Sequence, residues 1–175
     1  MAVAADALAG RVAVVTVSSR GLGLEFARLL GRHGATVVLT ARTADAVARA
    51  VAGLSAEGIA AHGVAADVAE PAQVAAVRDE ALGLGVLDIW VNNAGAAGVY
   101  GPTATSDPDV MRVVRTNILG TYHGSRAALP VFLAQGHGDL VNLYGRGAEG
   151  PVPLQNAYAR GRRLQMAVTV VPPAS

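Results

Sequence analysis

Short apolar runs and longer stretches of helical periodicity alternate along this chain. Val12 to Val17, Ala35 to Thr40, Ile59 to Ala65, Val86 to Val91 and Asp139 to Leu143 are runs rich in β-branched residues. Runs of that length and type predict buried strands. Between them lie helical patterns. Leu22, Phe26, Leu29, Leu30 and His33 recur at helical spacing, with Gly34 as the stop. Thr43 caps a helix over 44–57 that Gly58 ends, and Pro71 opens one over 71–82 that Gly83 follows. Ser106-Asp107-Pro108 opens a long helix to about Gln135, closed by Gly136 and Gly138. Ala167 to Val171 offers a last short strand before Pro172-Pro173, while the stretch from Gln155 onward has poor periodicity.

Strands that are apolar throughout are buried on both faces, and parallel strands need helical crossovers. The pattern therefore predicts an α/β fold with a doubly wound parallel sheet, its ligands beyond the carboxyl ends of the strands. At 175 residues and with no linker signal, residues 1–175 read as one domain, with 160–175 a divergent tail.

Composition narrows the chemistry. Apolar residues are 52% and charged residues 15%, as in a folded globule. A net charge of +1 argues against a nucleic-acid partner. No run approaches a membrane span, and the N-terminal MAVAADALAG lacks the basic start of a signal peptide. The absence of cysteine excludes disulfide and thiolate chemistry and suits a cytoplasmic protein. The four histidines show no metal-ligand spacing.

The first strand leads into Ser18-Ser19-Arg20-Gly21-Leu22-Gly23 and then a helix. Strand, glycine turn and helix make a phosphate-binding geometry, because backbone and helix-start N–H groups can approach the anion. The alternative is a glycine turn with no ligand. After the second strand, dinucleotide folds that select NAD place a carboxylate for the ribose hydroxyls. Here Ala41-Arg42 stands instead. Arg42 and Arg20 offer two cations to a 2′-phosphate, which favours NADP over NAD; the alternative is two solvated loop residues. Asn117, a mediocre helix former in mid-helix, requires a reason, either a role in chemistry or the capping of a kink near Gly120.

These features together resemble the short-chain dehydrogenase/reductase family, over about Leu8 to Ala159. Thr16-Val17-Ser18-Ser19-Arg20-Gly21-Leu22-Gly23 is similar to its TGxxxGxG turn, with Val17 in place of the first glycine. Asn92-Asn93-Ala94-Gly95 resembles its NNAG motif. The resemblance implies a Rossmann-like fold. It implies cofactor contacts at Thr16, Ser18, Ser19, Arg20, Gly21, Leu22, Gly23, Arg42, Asp67, Val68, Asn92, Ala94 and Gly95. It places Asp67 at the adenine, an asparagine tying the sheet together, and Asn117 at a water in a proton relay. A β-branched Val17 resists positive φ, so NADP(H) binding is expected to be weakened.

The catalytic set of that family is Asn, Ser, Tyr and Lys. Tyr158 matches the tyrosine, which exchanges a proton with the substrate oxygen. The lysine position, four residues on, is Arg162, and the serine position, 13 residues before, is Gly145. No serine lies between Ser125 and Ser175. Arg162 keeps the charge but holds its protons too tightly to pass them on. Tyr144 reads as structural rather than as a substitute for the serine.

Two expectations follow. One is an NADP-dependent oxidoreductase acting on a small carbonyl compound or secondary alcohol, impaired in this chain, with Tyr158, Asn117 and Arg162 as its catalytic set. The other is an inactive dinucleotide-binding domain or a truncated product, with no detectable carbonyl reduction. Past Ala159 the chain is biased to Arg, Gly, Pro, Ala and Val and carries no acidic residue. Such a tail fits either a frame-shifted reading of a GC-rich gene or a divergent end. On either account the sheet is expected to be incomplete at its C-terminal edge, leaving apolar surface and a marginal domain in place of the family's homo-oligomer.

Overall fold

The computed structural model describes residues 4, 6–96, 109–143 and 169–171. In chain order the elements are β1 Arg11–Val15, α1 Gly21–Arg32, β2 Thr36–Ala41, α2 Ala44–Ala56, β3 Ala61–Ala65, α3 Pro71–Leu84 and β4 Val86–Asn92. Then come α4 Asp109–Val114, a π-helical turn Arg115–Leu119, α5 Gly120–Gln135, β5 Gly138–Asn142 and β6 Thr169–Val171. The strands form one sheet in the order β3-β2-β1-β4-β5-β6. The pairs from β3 to β5 are parallel, as the apolar runs predict.

Alternation along each strand divides the core in two. Val12 and Val14 face a cluster with Val74, Val77 and Ala81 of α3 and Ala127, Ala128 and Phe132 of α5. Ala13 and Val15 face Ala27 of α1 and Ala50 and Leu54 of α2. Both faces of the sheet are thus covered. Each fully buried Val or Leu contributes about 1.5–3 kcal/mol through its apolar area. At the far edge of α1 and α2, Arg28 and Arg32 meet Glu57 at 2.8 and 3.0 Å. The Arg28 hydrogen bond holds the Glu57 carboxyl below its ordinary range.

Three expectations are corrected. The long helix to Gln135 is interrupted at Arg115–Leu119, where a π-helical turn separates α4 from α5. The last strand is shorter than the apolar run and pairs antiparallel with β5, Gly138 opposite Val171. In α1, Phe26 and Leu30 pack against the core as the spacing predicts, but the fully buried residues are Gly23 and Ala27, and Leu22 and Leu29 are exposed. Close packing explains the difference. A Cβ on Gly31 would collide with Ile59, so this helix lies too near its neighbours for large side chains at every inward position.

Candidate functional site

The helices give the sheet its switch point. Both α1 and α2 lie on one face, and α3 and α5 on the other, so the chain reverses direction between β1 and β4. Ligands of such sheets bind at the carboxyl ends beside this reversal. Buried polar side chains concentrate there: Thr16, Ser18, Thr40, Asn92, Asn117 and Asn142. Asp88, at the opposite end, instead meets His137 at 2.9 Å and Arg11 at 3.7 Å.

The turn after β1 is pinned from two sides. The Val17 N–H donates to the Thr40 hydroxyl at 3.0 Å, and the Val17 carbonyl accepts the Asn93 amide at 3.0 Å. Asn93 also donates to the Thr16 carbonyl at 2.9 Å. The Ser18 hydroxyl donates to the Val15 carbonyl at 2.6 Å and accepts the Thr40 N–H at 3.0 Å. So held, Val17 has φ 51°, the one non-glycine residue with positive φ among the described residues. The left-handed region is costly for a β-branched side chain. Gly23 makes room for the clamp, since a Cβ there would stand 2.6 Å from the Val17 carbonyl oxygen and would strike the Asn93 amide.

A second polar frame joins β4 to β5 and α5. Asn92 Oδ1 accepts the Trp90 indole N–H at 2.9 Å, and Asn92 Nδ2 donates to Asn142 Oδ1 at 2.8 Å and Ser125 Oγ at 3.2 Å. The expected asparagine tie is therefore two ties. Asn92 binds the sheet to α5, and Asn93 binds β4 to the glycine turn.

Asn117 is fully buried in the π-helical turn. Its Oδ1 accepts the Ala96 N–H at 2.7 Å and its Nδ2 donates to the Ala96 carbonyl at 3.1 Å. The Gly120 N–H reaches back to the Arg115 carbonyl, five residues away, so the helix is widened where Asn117 is tied to the loop after β4. His123 secures the neighbouring segment. Its Nδ1 lies 3.0 Å from the Val68 carbonyl, which can only accept, so that nitrogen carries the proton.

These frames border a cleft of about 600 Å³ at the carboxyl ends of β1 to β4. Ser19, Arg20, Arg42, Asp67, Val68 and Gly95 line it, six of the residues singled out in the sequence. Thr16, Ser18 and Asn92 do not; their buried side chains serve the clamps, so their part is to position the walls. Gly21, Leu22, Gly23 and Ala94 also lie outside the lining. Arg49 and Arg112 line the cleft and were not singled out. Their signal was faint, since an arginine within a helix reads as a solvated side chain. Asp67 Oδ1 accepts the Ala69 N–H at 2.9 Å. Tyr144, Gly145, Tyr158 and Arg162 lie outside the described residues.

Residues 11–161 match the family model described as short chain dehydrogenase. A short-chain type dehydrogenase/reductase of Picea abies is 36% identical over 89% of this chain and 61% of its own length. A 2-dehydro-3-deoxy-L-rhamnonate dehydrogenase (NAD(+)) of Sphingomonas sp. (strain SKA58) is 34% identical over 93% of this chain and 64% of its own length. Among solved structures, a gluconate 5-dehydrogenase from Burkholderia cenocepacia J2315 in complex with NADP and tartrate superposes with a TM-score of 0.83 at 35% identity. That match covers 90% of this chain and 62% of the dehydrogenase. The chain thus spans less than two thirds of the length of these relatives.

Proposed function

The chain belongs to the short-chain dehydrogenase family, and we propose that it binds NADP(H) in the cleft as part of an oxidoreductase acting on a carbonyl compound or secondary alcohol. One observation carries the reading: Arg20 and Arg42 line the cleft, and neither has a carboxylate partner among the described residues. Arg42 and Thr43 follow β2, which ends on Ala41, with no acid to receive ribose hydroxyls. The residues present therefore fit an adenosine carrying a phosphate. Asp67 and Val68 would flank the adenine, and Ser19 and Gly95 the phosphate-bearing chain. Bound there, NADP(H) supplies or accepts the hydride.

In this reading Tyr158 exchanges the proton with the substrate oxygen, and Arg162 supplies the positive charge that lowers the phenol's affinity for its proton. Asn117 holds the relay water. Support for that role is the π-helical turn, whose i→i+5 bonding takes backbone carbonyls out of the regular ladder. A second reading, binding without turnover, is favoured by the sequence itself. All 14 basic residues are arginine, and the family's serine position holds Gly145.

Arg42→Ala is expected to weaken NADPH about tenfold while leaving NADH unchanged, as loss of a charge-assisted contact predicts. Fluorescence titration of both cofactors checks this, and equal affinity of the parent for the two would sink the NADP assignment. Turnover is measured as NADPH oxidation with a panel of aldehydes and ketones. Reduction abolished by Tyr158→Phe supports the enzyme. Saturable binding with no reduction supports the second reading.

A further inference from the structure

Arg49 belongs to no motif. It lies in α2, seven residues beyond Arg42, yet it lines the same cleft. Thr43, just before α2, and Ala46 and Arg49 within it line the cleft, while Val47, Ala50 and Leu54 are buried in the core. Ala46, between the two polar side chains, is small.

The charge pattern around these residues is uneven. Five arginines elsewhere meet carboxylates: Arg11, Arg28, Arg32, Arg78 and Arg115. Arg20, Arg42 and Arg49 have no hydrogen-bond or ion-pair partner among the described residues, and outside the cleft Arg126 shares that state. Among the described residues Asp67 is the only acidic side chain in the lining, and one of its oxygens already accepts a backbone N–H. Three unpartnered guanidiniums around one cleft repel each other, in a chain of net charge +1. An anionic ligand would offset that repulsion.

We propose that Arg49 is a specificity-determining residue, the third guanidinium, with Arg20 and Arg42, that selects a phosphate monoester on the adenosine ribose. The inference rests on the cofactor reading above and adds to it a residue on α2. A phosphate monoester carries nearly two negative charges near neutrality and presents three acceptor oxygens. Two arginines balance its charge. The third engages the remaining oxygen, and planar guanidiniums suit that geometry.

The ligands 2′,5′-ADP and 5′-AMP differ by that one phosphate, and titrating both isolates it. The parent should prefer 2′,5′-ADP. Arg49→Ala should bind 2′,5′-ADP roughly tenfold more weakly and 5′-AMP within about twofold of the parent. Its affinity for 2′,5′-ADP should also depend less steeply on salt. Arg126→Ala, the unpartnered arginine outside the cleft, should change neither, and matching melting curves for the two variants confirm equal folding. If Arg49→Ala behaves as Arg126→Ala does while Arg42→Ala abolishes the preference, the role of Arg49 is overturned and the NADP reading stands. Equal weakening of both nucleotides by Arg49→Ala also overturns it. A parent that binds the two nucleotides equally overturns both readings together.

Discussion

Asn92→Ala should lower the free energy of unfolding by about 3 kcal/mol, measured by urea titration. Asn92 is 3% exposed and serves three elements at once. Its removal leaves the buried Trp90 indole N–H without this acceptor and takes one donor from Asn142 Oδ1. Each unsatisfied buried group costs about 1–3 kcal/mol, which exceeds the roughly 1 kcal/mol that one satisfied bond contributes. The packing around the Asn92 amide is tight. A Cβ placed on Gly124 would already overlap Asn92 Oδ1 and lie 2.8 Å from Trp90 Nε1. Gly124→Ala should therefore be destabilising by a comparable amount, through overpacking instead of loss. A Trp90→Phe cycle with Asn92→Ala separates the indole bond from the rest, with a coupling of about 1 kcal/mol expected. A loss below about 1 kcal/mol in Asn92→Ala would show that the frame is dispensable.

Val17→Gly is expected to tighten NADPH binding roughly tenfold and to raise stability by about 1 kcal/mol. Both changes come from one strained residue. The Thr40 hydroxyl and the Asn93 amide fix the Val17 N–H and carbonyl, so the backbone stays at φ 51° whatever the side chain prefers. Releasing a left-handed β-branched residue returns about 2 kcal/mol, and the greater freedom of glycine in the unfolded chain takes back roughly 1. Val17 also lines the cleft, so removing its side chain clears space beside the glycine turn. Val17→Ala, which keeps the Cβ, should fall between parent and glycine in a titration. Unchanged affinity in Val17→Gly would mean that the side chain stands clear of the ligand. A lower melting temperature would mean that its contacts with the core outweigh the strain.

Much of the fold was legible because its signals are local. The β-branched runs and the glycine and proline stops reproduce β1 to β5 and α1 to α3 to within a few residues. Misreadings arise where a distant partner intervenes. Leu22 and Leu29 have the spacing of a buried stripe, but the sheet approaches α1 along Gly23 and Ala27. The cleft shows the same division. Arg20, Arg42 and Asp67 were legible because each lies in the short connection between a strand and the helix that follows it. Arg49 was not, because its position in α2 carries no local signature.

The sequence by itself determined which segments become strands and helices, that both faces of the sheet are covered, and what chemistry stands at each strand end. It also marked Val17 as a residue out of place in its turn. Only the tertiary structure decided the order β3-β2-β1-β4-β5-β6 and the antiparallel setting of the last strand. It likewise decided the π-helical turn around Asn117, the separate duties of Asn92 and Asn93, and the meeting of Arg20, Arg42 and Arg49 at one cleft. The reason is range. Dihedral preference and hydrophobic period act over one or two turns of chain, whereas these contacts join residues tens of positions apart, as Asn93 joins Thr16 across 77 residues. Their geometry exists only once parallel pairing and the crossovers have brought the strand ends together.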